Sequence, residues 1–285
     1  MRLPGAAVLV VLALAPNAGA QAGDGFVRQV RSSLGVSANP LGLQQGLDAG
    51  WSRPLVVGSS RLLLREAHLA FGLSQRLTPA YGRAGGWLEL SPLSVLDLRV
   101  GVEPVAYFGT FHSLLSYRGY GDAFDDASRS ARRDAQAGLA GRAYVAPTLK
   151  ARFGRLVVRS HAELEWWRAG VRGPLFYEPG RDTLLRSSGD RLLAGESMLL
   201  WAFKDSGSRR LLAGPVHEIL QVDAAPANRR QSLGIVGVWG LGPRALGLRE
   251  PTLVAKVFRY LEDPYKKNQF GLQLGLGWSV FEAAR

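Results

Sequence analysis

Cysteine is absent from this chain of 285 residues. Its absence excludes disulfides, thiol nucleophiles, cysteine-ligated zinc and anchoring through a lipidated cysteine. Only 4 histidines are present, and the sequence shows no phosphate-binding loop or dinucleotide motif. We therefore expect a protein that is not an enzyme and that uses no cofactor and no metal.

Long apolar runs are absent after residue 20. Residues 1–20 have the layout of a cleaved secretory signal, with Arg2 at the charged start, an apolar stretch over 6–15 and Ala18-Gly19-Ala20 at the cleavage site. That stretch is shorter than the roughly 20 residues that a spanning helix needs. The rest of the chain can therefore cross a membrane only as a closed barrel. We predict a signal peptide over 1–20 and one barrel domain over 21–285.

Instead of apolar runs, the sequence has residues that alternate between apolar and polar, most clearly over 269–281. One face of this segment carries Phe270, Leu272, Leu274, Leu276, Trp278 and Val280. The other face is small and polar, and no amphipathic helix precedes or follows to cover the apolar face. A bilayer can cover it. The pattern therefore predicts an all-β protein that forms a closed antiparallel transmembrane barrel.

Twelve segments share this alternation, and an even number lets both chain ends lie on the periplasmic side. We expect about 12 strands, with 10 or 14 as alternatives, because the first segment could instead be a short periplasmic helix. The segments are 26–36, 42–53, 61–75, 85–91, 95–108, 142–152, 156–168, 191–204, 210–222, 231–241, 252–261 and 269–281.

The connections between these segments fit a barrel with short periplasmic turns and longer extracellular loops. If the last strand descends to the periplasm, the connections on that side are short: 54–60, 92–94, 153–155, 205–209 and 242–251. The two longest gaps, 109–141 and 169–190, then fall outside the cell.

Aromatic residues near the strand ends predict a belt at each membrane interface. The alternative is that aromatic residues simply favour strands. The interface residues that we expect are Trp166, Trp167, Phe258 and Tyr260 on the outer side, and Trp201, Phe203 and Trp278 on the inner side.

The run Gln273-Leu-Gly275-Leu-Gly-Trp278-Ser-Val280 resembles the C-terminal insertion signal of bacterial outer-membrane proteins. It departs from that signal because Val280 replaces the usual last aromatic and residues 281–285 continue past the usual end. The resemblance implies a β-barrel in the Gram-negative outer membrane, surrounded by outer-membrane lipid and lipopolysaccharide. It also implies contact with the barrel-assembly machinery during insertion, and it carries over no active site.

The less apolar face of each strand should line the barrel interior, and this face is charged. The lumen-lining candidates are Glu66, His68, Glu89, Asp97, Arg99, Glu103, Arg142, Lys150, Arg152, Arg159, His161, Glu163, Glu165 and Glu196. Opposed charges could bridge a narrow bore. They either hold the interior together or line a passage. Acid/base chemistry or metal binding by residues 159–165 would need partners from other strands, because alternate residues of one strand lie nearly 7 Å apart.

Two features of the predicted extracellular loops have alternative interpretations. Four aspartates between Asp122 and Asp134 could bind calcium, but their spacing is irregular, and a solvated loop whose arginines contact lipopolysaccharide is favoured. Residues 176–180, Phe-Tyr-Glu-Pro-Gly, form a turn signal flanked by aromatics that either folds over the barrel mouth or meets a partner.

The formal net charge of +12 favours anionic partners or solutes. Because the basic residues are scattered and form no stripe, we expect no nucleic acid partner. The leading hypothesis is a narrow, porin-like channel for small solutes with a weak anion preference. The alternative is a plugged structural or surface-interaction barrel that acts through loops 109–141 and 169–190. An outer-membrane lipid hydrolase ranks third, because no Ser, His and acid set is seen.

Overall fold

The structure, a computed structural model, describes residues 25–57, 60–206 and 209–282. The predicted signal peptide lies outside the described residues. Twelve long strands form the wall of one barrel. They are β1 (Val27–Ala38), β2 (Gly42–Pro54), β3 (His68–Leu77), β4 (Tyr81–Leu93), β5 (Leu96–Phe108), β7 (Ala137–Phe153), β8 (Leu156–Ala169), β11 (Asp190–Ser206), β12 (Arg209–Val222), β13 (Ala225–Leu241), β15 (Leu248–Glu262) and β16 (Phe270–Glu282).

Five short elements lie in the connections between the wall strands. They are β6 (Ser116–Tyr117), α1 (Asp126–Ala131), β9 (Leu175–Glu178), β10 (Thr183–Arg186) and β14 (Arg244–Ala245). No helix in the described parts of the chain is long and apolar enough to cross a membrane.

Each wall strand pairs antiparallel with the next wall strand along the chain, and β1 pairs with β16 to close the sheet. In that closing ladder Leu34 lies opposite Leu276 and Ala38 lies opposite Leu272. Closure leaves no wall strand with an unpaired edge, which is the condition for a sheet to span hydrocarbon. The predicted all-β closed antiparallel barrel of twelve strands is confirmed.

Side chains on the barrel exterior are largely apolar, as lipid requires. On β5, for example, Leu98, Val100 and Val102 are exposed outward, whereas Asp97 and Arg99, which alternate with them, form ion pairs inside the barrel. The period-two pattern of the sequence therefore separates a lipid face from an interior face.

The predicted strand over 61–75 begins only at His68. Residues 62–66 form turns. The amide of Leu64 donates a hydrogen bond to the carbonyl of Arg61, and the amide of Ala67 donates one to the carbonyl of Leu64. Three consecutive leucines, 62–64, break the alternation that a strand needs. Glu66 thus lies in the periplasmic connection 55–67, not on an interior strand face, which corrects its prediction as a lumen residue.

Three of the seven predicted interface aromatics face the interior. Trp167, Phe258 and Tyr260 are 2%, 4% and 2% exposed, so the expectation that they contact lipid is wrong. Neighbouring residues of a strand point to opposite faces, so only one of Trp166 and Trp167 can face lipid. The other four lie on the outward face: Trp166, Trp201 and Phe203 are exposed, and Trp278 is half-buried.

Candidate functional site

The two long extracellular connections, 109–136 and 170–189, fold into one unit that we call the cap. Strand β9 pairs with β10 of its own loop and with β6 of the other loop. Helix α1 begins after Asp125, whose carboxylate accepts hydrogen bonds from the amides of Ala127 and Ser128. The turn signal at 176–180 therefore forms a hairpin over the barrel mouth, the first of the two alternatives that the sequence left open.

An apolar core holds the two cap loops together. The two loops carry leucines and aromatic residues, and burying these side chains against each other removes apolar surface from water. The cluster comprises Leu115, Tyr117, Phe124, Leu175, Tyr177 and Leu184.

A second apolar cluster joins the cap to the inner surface of the barrel wall. From the cap, Leu114, Phe176 and Leu185 are 0% exposed. They belong to one cluster with inward-facing residues of the outer strand ends, including Tyr107 and Trp167. The outer half of the barrel interior is therefore filled by packed side chains.

The tip of the hairpin between β9 and β10 enters the barrel and places Arg181 against Glu163 and Glu165 of β8. The amide of Arg181 donates a hydrogen bond to Glu178 at 2.7 Å, and the hydroxyl of Tyr107 donates another to the same carboxyl group at 3.1 Å. Burial raises the pKa of the Glu178 carboxyl above its usual range. The tip is thus fixed to the wall by polar contacts below the apolar core.

Asp182, the next residue of the tip, joins three cationic side chains. Its carboxylate accepts hydrogen bonds from Lys266 at 2.5 Å, Tyr177 at 2.6 Å and Arg129 at 3.3 Å, and Arg230 of β13 lies at 3.6 Å. Burial disfavours the charged carboxylate, but Lys266, Arg129 and Arg230 outweigh it and hold the pKa of Asp182 well below its usual range. Asp182 therefore stays ionised and ties together the two cap loops, the β15–β16 connection and the wall.

Below the tip, Arg142 of β7 is the centre of a buried ion cluster. Its Nη1 donates a hydrogen bond to Glu103 of β5 at 2.6 Å. Its Nη2 lies 2.5 Å from Glu163 and its Nε lies 3.1 Å from Glu165, at ion-pair distances but without hydrogen-bond alignment. The guanidinium carbon also lies 4.4 Å from the ring centroid of Tyr144. One guanidinium thus serves three carboxylates from two strands.

A second interior cluster is centred on Lys256 of β15. The ammonium group donates to Glu218 of β12 and lies 3.7 Å from Glu196 of β11. Glu196 also pairs with Arg159 of β8 at 3.3 Å, and Ser232 donates to Glu218 at 2.9 Å. These contacts cross-link five neighbouring strands from inside the barrel.

Half-buried polar side chains line the periplasmic half of the interior on β3, β4, β5 and β7. Glu89 lies 3.2 Å from His68 and accepts a hydrogen bond from Arg99 at 2.9 Å. Asp97 pairs with Lys150 at 2.9 Å. These charges are compensated locally while they keep partial contact with solvent.

Ser91, His68 and two acids form a group that superficially resembles a hydrolytic triad. The hydroxyl of Ser91 lies 3.3 Å from Nε2 of His68 but donates to Asp97 at 2.5 Å. Glu89 contacts that same Nε2, whereas a triad acid holds the opposite ring nitrogen. Ser91 is also fully buried. This arrangement orients no nucleophile toward a substrate.

A polar cavity of about 90 Å³ lies beside the hairpin tip. Its lining includes His161, Glu163, Arg181, Asp182 and Glu218. By this measure a single water needs about 10–15 Å³, so the cavity has room for a few waters or a small ion. Beside it, inward-facing apolar residues of β11, β12, β13 and β15 pack into a cluster that includes Met198, Leu212, Val236 and Val254.

The structure brings most of the predicted lumen residues into these clusters, with two exceptions. Glu66 lies in a periplasmic turn, and Arg152 lies at the periplasmic rim, where it pairs with Asp205 and is largely exposed. His161 contacts Thr148 at 2.8 Å. Four site residues were not predicted from the sequence: Arg181 and Asp182 of the cap, and Glu218 and Lys256, whose strand faces look apolar.

The four loop aspartates have structural partners. Asp122 accepts hydrogen bonds from backbone amides, Asp125 caps α1, Asp126 pairs with Arg129, and Asp134 pairs with Arg132. No group of three or more potential metal-ligating side chains occurs among the described residues. Arg129 is only 2% exposed, so it binds within the cap and not to lipopolysaccharide.

No protein-family model and no curated protein matches the sequence. Among solved structures, the chain is similar to the beta domain of the Bordetella autotransporter Brka, with 13% identity, coverage of 89% of this chain and 98% of that chain, and a TM-score of 0.41. It is similar to LpxR from Salmonella typhimurium, with 8% identity, coverage of 87% and 99%, and a TM-score of 0.42. It is also similar to an outer membrane channel from Pseudomonas putida F1, with 10% identity, coverage of 92% and 98%, and a TM-score of 0.37.

Likenesses this distant carry no argument about function. The closed twelve-strand ladder and its apolar exterior identify the chain as a β-barrel protein of the Gram-negative outer membrane.

Proposed function

We propose that this protein is a plugged outer-membrane barrel that acts at the cell surface through its cap and passes no solutes at rest. The observation that carries the proposal is the complete burial of Leu114, Leu115, Phe176, Leu184 and Leu185 of the cap. Leu114, Phe176 and Leu185 pack against the wall, and displacing the cap would expose these three at about 1.5–3 kcal/mol each, or roughly 7 kcal/mol in all. An open state at that free energy is populated in about one molecule in 10⁵.

The interior ion pairs support a structural network over an anion-selective lining. Arg142 is paired with Glu103, Lys150 with Asp97, and Arg159 with Glu196. Because each cation has a carboxylate partner, these groups leave little unbalanced positive charge to attract an anion. The net charge of the whole chain is therefore a poor guide to the interior.

The outer surface of the cap is basic. Arg118, Arg133, Arg172 and Arg186 are exposed there. Such a surface attracts anionic partners outside the cell. We assign the protein this binding role and no enzymatic activity.

A narrow passage that opens when the cap is displaced is the second candidate. The half-buried side chains of His68, Arg99 and Lys150 favour it, since 27%, 32% and 35% of each is exposed in the periplasmic half of the barrel. This half has the character of a vestibule. The weak anion preference for small solutes belongs to this candidate.

Planar bilayer recordings test the proposal. They use purified protein that is shown to be folded, because its migration in gel electrophoresis changes on heating. We expect no discrete openings across repeated reconstitutions, because the cap core blocks the outer mouth. Openings with an anion preference that falls as salt screens the interior field would establish the channel instead.

A further inference from the structure

An open groove of about 560 Å³ lies on the barrel exterior at the outer ends of β7 and β8. Its lining includes Leu139 and Gly141 of β7, Arg168 of β8 and Ser188 of the cap. Gly141 lies directly opposite Arg168 in the ladder. A Cβ added at Gly141 would meet no heavy atom within 4 Å, so the space beside the Arg168 guanidinium is open.

The groove lies at the level where lipid headgroups meet the barrel. Leu164, Trp166 and Arg168 share one face of β8 because they alternate along it. Leu164 and Trp166 are 38% and 40% exposed, so the exterior on the membrane side of Arg168 is apolar. Because tryptophan concentrates at the membrane–water interface, Trp166 marks that interface and Arg168 lies just outside it.

The cation in this groove has no protein partner. Arg168 is exposed and forms no ion pair or hydrogen bond with the residues that the structure describes. Arg191, directly across the ladder from Trp166, pairs with Asp223, but both side chains are about 60% exposed and such pairs hold weakly. Two guanidinium groups therefore flank Trp166, and one of them has no counterion.

We propose that this groove binds a phosphate of the lipid A headgroup of lipopolysaccharide, with Arg168 as its ligand. Arg191, on the far side of Trp166, adds positive charge at the same level of the exterior. A guanidinium binds phosphate through paired, charge-assisted hydrogen bonds. The acyl chains of the same lipid lie along Leu164 and Trp166. Because the groove lies on the extracellular side, its ligand is a lipid of the outer leaflet. This binding does not depend on whether the barrel is plugged.

Native mass spectrometry of the full mature protein, titrated with purified diphosphoryl lipid A in detergent, tests this site. The wild-type protein should retain one lipid A molecule. Arg168→Gln should weaken retention about tenfold because it removes the charge-assisted bonds. Gly141→Phe should weaken it similarly, since the Cβ position is clear of protein atoms and a ring attached there takes up space in the groove. Arg155→Gln is the matched control, because Arg155 is an exposed arginine in the periplasmic turn between β7 and β8.

All variants are compared in their heat-modifiable, folded form. Unchanged retention by Arg155→Gln and reduced retention by the two groove variants supports the proposal. Equal retention by Arg168→Gln and Arg155→Gln would overturn it. Equal retention of dephosphorylated lipid A, or of phosphatidylglycerol, by the wild-type protein would overturn the assignment to lipid A phosphate.

Discussion

Replacing residues 174–187 with a short Gly-Ser linker should turn a silent barrel into a conducting one. The deletion removes Phe176 and Leu185 from the apolar cluster that fills the outer mouth, and Leu184 from the core of the cap. It also removes Arg181 and Asp182, which tie the hairpin tip to the wall. The vestibule around Arg99 and Lys150 then gains a route to the outside. Planar bilayers should show discrete openings with the deletion variant and none with the intact chain.

The double variant Arg181→Gln with Asp182→Asn serves as the control for that deletion. It removes the ion pairs of the tip but keeps the apolar contacts between the cap and the wall, whose exposure alone costs roughly 7 kcal/mol. We expect it to remain silent. If the folded deletion variant is also silent, the interior is closed by its own side chains and the cap is not the plug.

Arg142→Gln should cause the largest loss of stability of any single interior substitution that we consider. It leaves Glu103, Glu163 and Glu165 buried around a neutral side chain. Arg83, 3.5 Å from Glu103, and Arg181, shared by Glu163 and Glu165, are then their remaining cations. Removing one partner of a buried ion cluster costs about 3–5 kcal/mol. The protein is titrated with urea in lipid vesicles, and the folded fraction is measured from the gel band of the unheated protein. The free energy of unfolding obtained in this way should fall by that amount.

Arg152→Gln is the matched control for this substitution. Arg152 pairs with Asp205 at the periplasmic rim, where 53% of its side chain is exposed. Its replacement should change the free energy of unfolding by about 1 kcal/mol or less. Adding Glu165→Gln to Arg142→Gln should recover part of the loss by removing one uncompensated carboxylate. Similar unfolding midpoints for Arg142→Gln and Arg152→Gln would contradict the buried cluster.

The strands were predictable because lipid imposes a strict alternation on them. The terminal segment illustrates this, since its apolar face from Phe270 to Val280 is the lipid face of β16. The position of the two long loops was also predictable, because loop lengths differ between the two sides of such barrels.

The direction in which some faces point was not predictable from apolarity alone. On β15, Val254, Phe258 and Tyr260 look like a lipid face, yet they share it with Lys256, and the interior can pair that charge with Glu218. The opposite face carries Arg259 near its outer end, where water and headgroups are close. A charge in the middle of a strand is therefore a better guide than two aromatics near its end.

The rule that the more apolar face meets lipid also fails where the interior is itself a packed core. Inward-facing Met198, Leu200, Leu212 and Val238 are as apolar as the exterior. The contacts of the cap were also not predictable from the sequence. Asp182, for example, binds Lys266, which lies 84 positions away along the chain. No local pattern encodes such a pairing.

Thiol accessibility at position 113 tests most directly whether the barrel mouth is closed by a folded cap. Ser113 lies in the first long loop and is 0% exposed. The chain has no cysteine, so Ser113→Cys introduces a single thiol with little change in size. Ser188→Cys, at an exposed residue of the second loop, provides the reference rate. Both are labelled with a small maleimide in nanodiscs, which leave the two barrel ends accessible.

We expect the thiol at position 113 to react at least about 100-fold more slowly than the thiol at position 188, which corresponds to a local opening free energy of about 3 kcal/mol or more. Equal rates in folded protein would mean that the loops are open and solvated, and would contradict the plugged barrel.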